Sequence, residues 1–405
     1  MKKLIIGLLF AFLVFYPFGQ LTRLPLTLIT GNLARQFPEV HLYLTDIILG
    51  LLLVAWGIWR FLLVKKKYKL PPLAKPMFLF LLIGLLSLIF NSPLLLNREM
   101  AVAGLYLLRL AVYFGFYFFV CDFKKSKKML KFLMAIGVTM AVFGLVQYLL
   151  WPDVSDLYFL GWDPHYYRII GTFFDPGFTG VIYVLTLILL VVTNWEKLSQ
   201  LKVKNLGFYC LLLIVYSALV LTYSRSSYLA YLGGMGTIAL VKKKPKFFLI
   251  VFLISVLTVL ILPRAPGGEG VRLERTTTVQ SRFGSWRQAL AIFRDRPLLG
   301  VGFNAYRYAQ RNYGFLDQEQ WQTGHAGAGA DSSFLFVLAT TGVIGLLAYF
   351  WFLSSVIRLT FKTTNAKIGL VVLASVAALV CHSFFLNSLF YPWILAWLGI
   401  ILGLL

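Results

Sequence analysis

The chain is predicted to be an all-α polytopic membrane protein, with about twelve transmembrane helices and one large extracytoplasmic loop containing amphipathic helices. Three observations predict this. Hydrophobic residues make up 60% of the 405 positions and charged residues only 13%, a balance that would leave a soluble fold covered in apolar patches. The apolar residues fall in successive runs long enough to cross a bilayer, which takes about 20 residues each. The charges between those runs segregate by type, with every lysine on one side.

The runs lie at roughly 4–18, 42–64, 76–90, 100–120, 130–150, 176–193, 206–223, 226–241, 247–262, 333–353, 368–386 and 389–405. The first follows Met1-Lys2-Lys3 as a signal peptide would, but no small-residue cleavage site precedes Pro17, so it is read as a helix that stays. The whole of 1–405 is then one transmembrane domain, with residues 263–332 forming an extracytoplasmic loop between helices nine and ten.

Loop charge sets the orientation. Lysines cluster at Lys2 and Lys3, Lys65–Lys75, Lys124–Lys131, Lys197–Lys204, Lys242–Lys246, and Lys362 and Lys367, which marks that side as cytoplasmic and places both termini there. These clusters adjoin spanning runs, where they meet anionic lipid headgroups, so the net charge of +23 does not imply nucleic acid. Cys121, Cys210 and Cys381 have neither the spacing of a zinc site nor that of a disulfide framework.

The opposite loops hold fourteen arginines and no lysine. They are Arg23, Arg35, Arg98, Arg168, Arg225, Arg264, Arg272, Arg275, Arg282, Arg287, Arg294, Arg296, Arg307 and Arg311. Guanidinium binds phosphate oxygens through a planar fork and keeps its charge when partly desolvated, so this face reads as built for an anion. Any one of these arginines could instead pair with a local carboxylate or a lipid headgroup. No GxxxxGK loop, HExxH or GxSxG occurs, so a bound nucleotide does not drive the reaction.

Four stretches carry the chemistry. Arg168-Ile169-Ile170-Gly171-Thr172-Phe173-Phe174-Asp175-Pro176-Gly177 breaks the backbone at the mouth of the sixth helix, where irregular chain survives only against protein or a wet cavity. Thr222-Tyr223-Ser224-Arg225-Ser226-Ser227 puts an arginine into an almost loop-free hairpin, where an unpaired charge costs about 2–3 kcal/mol or more. A lipid phosphate, Asp331 or a substrate phosphate could repay that cost, and Arg109 in the fourth helix has Asp46 as its structural partner. Residues 281–297 predict an amphipathic helix along the membrane, with Phe283, Trp286, Leu290 and Phe293 on one face and Arg287 and Arg294 on another. Gly324–Phe334 then leads into the tenth helix, with Asp331 expected as its N-cap and His325 the one histidine of the long loop.

In this order the stretches resemble the O-antigen ligase and O-antigen polymerase superfamily of bacterial envelope glycosyltransferases, of GT-C-like membrane type. The matching elements are Arg-x-x-Gly-Thr-Phe-x-x-Pro from Arg168, the Ser-Arg hairpin at Arg225, the Arg282–Gly302 run ending Arg-Pro-Leu-Leu-Gly-Val-Gly, and Thr341-Gly342-Val343-Ile344-Gly345. The resemblance implies transfer of a glycan from a polyprenyl-diphosphate carrier, such as undecaprenyl diphosphate, to a hydroxyl on a glycan, glycolipid or protein, with no cofactor or metal. It assigns Arg225 and Arg282 to the diphosphate, with Arg168 and Arg287 as further candidates. Where the family commonly has His-Asn, this chain has Asp331-Ser332, which leaves Asp331 and His325 as candidates for the base. The acceptor could be lipopolysaccharide or a growing polysaccharide. A secondary transporter or flippase for an anionic envelope lipid is the alternative, opposed by the missing two-fold repeat.

Overall fold

The computed structural model describes residues 1–24, 40–64, 68–123, 126–160, 162–200, 202–263, 269–316, 321 and 329–405. His325, Arg264, Arg35 and Lys65–Lys67 lie outside these, as do Lys124 and Lys125.

Each of the twelve predicted runs is helical. In chain order they are α1 (Lys2–Phe15), α2 (Leu44–Gly57), α3 (Ala74–Phe90), α4 (Asn97–Phe123), α5 (Ser126–Leu150), α6 (Pro176–Thr193), α7 (Leu206–Val220), α8 (Arg225–Val241) and α9 (Pro245–Ile261). Two helices of the long loop follow, α10 (Thr277–Asp295) and α11 (Tyr306–Asn312), and then α12 (Ser333–Lys362), α13 (Ala366–Ser383) and α14 (Pro392–Gly403). Among the described residues, eight helical stretches are long and apolar enough to cross a membrane, and α3, α9 and α14 are apolar but shorter. The fold is thus all-α and polytopic, apart from a two-residue antiparallel pairing of Arg23–Leu24 with Leu42–Tyr43.

Helix starts follow local chemistry. Asp175 caps α6 by accepting from the Phe178 amide at 2.7 Å, with Pro176 at the first helical position, where its missing N–H costs nothing. Ser224 caps α8 through the Ser227 amide. The cap of α12 corrects the expectation for Asp331: it is Ser332 that accepts, from the Leu335 amide, and the Asp331 carboxyl is left for other work.

α6 is the central post, buried along nearly its whole length. Small residues let its neighbours close on it: Gly137 and Gly144 of α5 face Thr186 and Tyr183, and Gly180 of α6 faces Ser227 of α8. α9 is the outlier, with Val251 its one buried residue.

α12 is broken at Gly342 (φ 67°, ψ −168°), a conformation open essentially to glycine alone. The freed backbone groups find partners in the run that ends α10. Val301 and Gly302 donate to the carbonyls of Ala339 and Thr340, and Val343 and Ile344 donate to those of Pro297 and Leu298. Ser87 of α3 and Asn91, the residue that ends it, complete the joint on the carbonyls of Leu299, Thr340 and Gly300. The Arg-Pro-Leu-Leu-Gly-Val-Gly and Thr-Gly-Val-Ile-Gly motifs are therefore the two halves of one structural splice.

α10 forms over the predicted stretch. It docks on α12 through Ala289 and Ile292, and Phe283 and Leu290 stay exposed. The small alanine permits the close approach that the large side chains would block.

Candidate active site

Two of the predicted arginines, Arg225 and Arg282, lie within electrostatic reach of each other, and Arg168 shares the influence of Asp175 with Arg282. Arg168 is 7% exposed and donates from Nε to the Thr222 carbonyl at 3.0 Å and from a terminal nitrogen to the Tyr223 carbonyl at 3.4 Å. It thereby pins the α5–α6 connection to the α7–α8 hairpin. Arg225, the first residue of α8, reaches into the long loop and donates to the carbonyls of Leu273 (3.2 Å) and Arg275 (3.0 Å) and to the Thr278 hydroxyl. Its partners are thus backbone dipoles and a hydroxyl. Arg282, one turn into α10, lies over the Phe385 ring at 5.5 Å. Arg287 is exposed, on a different face of α10 from Arg282.

Among the described residues, none of Arg168, Arg225 and Arg282 forms an ion pair with a carboxylate. Elsewhere arginines do pair directly: Arg109 with Asp46 at 2.8 Å, Arg311 with Glu99 at 2.6 Å and Arg60 with Asp122 at 3.4 Å. At the site the compensating charge is held back. Asp175 lies within electrostatic reach of both Arg168 and Arg282, Asp331 of Arg282, and Arg225 and Arg275 add like charge.

Desolvation dominates the electrostatics. Burial, with Arg275 nearby, pushes the Arg168 pKa down to about 9, which still leaves it cationic at neutral pH. Burial also lowers Arg282, against the pull of Asp331. Asp175 is raised by burial, and Asp331 is raised by burial to about 6, opposed by Arg282. His165, half-buried, is held down to about 3 by desolvation and by the nearby Arg168 and Arg275 and is neutral. A carboxyl poised near 6 amid under-neutralised guanidiniums is the pattern of a functional site.

The placement of Asp331 is exact in hydrogen-bond terms. Its amide donates to Ser285 Oγ at 3.0 Å and its carbonyl accepts from Trp286 Nε1 at 3.1 Å, so α10 carries both Arg282 and the clamp on Asp331. The backbone is strained nearby: Phe174 and Tyr223 take left-handed φ values of 57° and 50°.

One group escaped sequence reasoning. His382, fully buried near the end of α13, bonds Ser388 Oγ through Nδ1 and lies 3.3 Å and 3.4 Å through Nε2 from the hydroxyls of Ser226 and Ser227. Ser227 in turn bonds the cap Ser224, next to Arg225. The signal was a lone histidine inside an apolar run, where a polar group requires partners.

Residues 208–350 match the family model described as O-antigen ligase. No curated protein matches the chain. The matched span runs from α7 to the middle of α12 and includes Arg225, Arg282, Asp331 and both halves of the splice, with Arg168 preceding it. The chain is thus a polytopic membrane protein whose residues 208–350 are similar to the O-antigen ligase family.

Proposed function

We propose that the chain is a membrane glycosyltransferase that moves a glycan from a polyprenyl-diphosphate carrier to a hydroxyl acceptor, at the extracytoplasmic face of the bacterial cytoplasmic membrane. The observation that carries this reading is the pair Arg282 and Arg225, within electrostatic reach of each other, with Asp331 beside Arg282, Arg168 buried nearby and, among the described residues, no direct carboxylate partner on any of the three arginines.

A prenyl diphosphate departs as an anion, and preorganised guanidiniums meet that charge as it develops. Arg225 and Arg282 bind the diphosphate, with Arg168 behind them holding the two hairpins in register. Asp331, ionised above its pKa of about 6, accepts the proton of the attacking hydroxyl. The oxygen attacks the anomeric carbon from the face opposite the leaving diphosphate, so the C–O bond to phosphate breaks as the new glycosidic bond forms, with inversion. Arg287 stays a further candidate for the diphosphate, and His325, outside the described residues, a further candidate for the base.

The test is a reconstituted assay with polyprenyl-diphosphate glycan and acceptor. Release of polyprenyl diphosphate that depends on acceptor and is lost in Arg225→Ala supports the proposal. Movement of intact donor between leaflets with no bond broken would instead identify a carrier.

A further inference from the structure

His382 stands near the end of α13, fully buried in a largely apolar run, where a polar ring costs free energy unless its nitrogens find partners. Here both ring nitrogens are engaged. Nδ1 bonds Ser388 Oγ, and Nε2 lies 3.3 Å from the Ser226 hydroxyl and 3.4 Å from that of Ser227.

Each of these contacts leads toward one of two arginines. Ser226 and Ser227 belong to the first turn of α8, which Arg225 begins, and Ser227 Oγ donates to the cap Ser224 at 2.9 Å. On the other side, Ser388 belongs to the connection between α13 and α14, and the His382 carbonyl accepts from the Phe385 amide at 3.0 Å where that connection starts. Arg282 lies over the Phe385 ring, and the Trp286 ring of α10 is 6.3 Å from it. The same connection reaches the head of α12, where the Leu389 amide donates to Ser333 Oγ at 3.1 Å, two residues beyond Asp331. One imidazole thus joins the helix that carries Arg225 to the surface against which Arg282 is laid.

That joint works against a force. Arg225 and Arg282 are like charges within electrostatic reach of each other, and among the described residues neither has a carboxylate in direct contact. Their repulsion favours any movement that separates them, so their spacing is only as firm as the scaffold behind it. Arg168 holds the chain just before Arg225, through the Thr222 and Tyr223 carbonyls, and His382 holds the chain just after it. Farther along, α8 and α13 close on each other through Gly233, which faces Cys381, and Gly234, which faces the Ala374 carbonyl. The ring of His382 sets the gap at the end where Arg225 stands.

We propose that His382 is a positioning residue that fixes the separation of Arg225 and Arg282, so that the two guanidiniums meet the two phosphates of one diphosphate together. This rests on the transfer reaction proposed above.

The test uses the full-length protein in nanodiscs and two probes, undecaprenyl diphosphate and undecaprenyl monophosphate, with the Kd of each measured by direct binding. Wild type is expected to bind the diphosphate at least about tenfold more tightly, because only that probe can engage both guanidiniums. His382→Leu should lose most of this preference by weakening the diphosphate alone, and its kcat for acceptor-dependent release should fall about 10²-fold, the scale of a small misplacement at a reacting centre. A histidine that merely stabilised the fold would lower Tm and leave the preference as it was; that result overturns the proposal and leaves the transfer reaction standing. Ser388→Ala, which removes only the partner of Nδ1, covers the case in which His382→Leu does not fold: a reduced preference supports the proposal and an unchanged one overturns it. A wild type with no preference for the diphosphate overturns it as well. A preference that is present in wild type and lost in the variants, in a protein that transfers no glycan, supports the positioning role and sinks the transferase instead.

Discussion

Asp331→Asn is the substitution that bears most directly on the chemistry. The change is isosteric, keeps the clamp on the Asp331 backbone from Ser285 and Trp286, and leaves the Ser332 cap of α12 intact. It removes only the proton acceptor. With a pKa of about 6, Asp331 is ionised in about a tenth of molecules at pH 5 and about nine-tenths at pH 7, so wild-type kcat should rise about tenfold over that interval. The asparagine variant should lose this limb altogether and run about 10²–10⁴-fold slower at pH 7, with KM for donor nearly unchanged. The assay is acceptor-dependent release of polyprenyl diphosphate at saturating donor, from pH 5 to 8. A variant within threefold of wild type (roughly 0.7 kcal/mol of barrier), or one that keeps the same acidic limb, would refute the assignment of Asp331 as base.

Three other perturbations follow from the geometry. Arg282→Lys should keep the charge but lose the planar fork, lowering kcat about 10²-fold, whereas Arg282→Gln should in addition raise the Asp331 pKa and move the acidic limb to higher pH, since Arg282 holds that pKa down; both are read from pH–rate profiles. Arg109→Met should cost about 3–5 kcal/mol of stability by stranding Asp46, which also accepts from the Tyr113 hydroxyl at 2.9 Å, and Asp46→Asn should restore part of the lost Tm in the double variant. Gly342→Ala should destabilise by at least about 2 kcal/mol, because its φ is 67° and the added carbon would lie 2.1 Å from the Leu298 carbonyl oxygen; a Tm within a degree of wild type would contradict the splice.

The spans were legible because lipid leaves a chain few ways to satisfy its backbone, so apolar runs and lysine clusters are direct imprints of helix and loop. Arg109 with Asp46 was legible too, since two buried charges in adjacent helices need each other. Loop assembly was not. Sequence marks Arg225 as a charge in need of partners but is silent on the Leu273 and Arg275 carbonyls that meet it, because those depend on how residues 269–276 fold back. The cap at α12 was placed one residue early: Asp331 and Ser332 are both good caps, and the choice was made by α10, which holds the Asp331 peptide away from the helix end. The glycines of residues 300–302 and 342–345, which the sequence offers only as family motifs, are carpentry: they let two chain segments bond to each other.

The interruption at Gly342 divides α12 into two mechanical units. Its first nine residues, headed by Asp331 and Ser332, accept bonds from the chain leaving α10, and the start of the remainder donates to that same chain before running on toward Lys362. Guanidinium and carboxyl therefore ride on a common rigid bracket, Arg282 on one arm and Asp331 on the other. Any displacement of α10 would therefore carry Asp331 with Arg282, so that the spacing between the two groups is preserved through the movement.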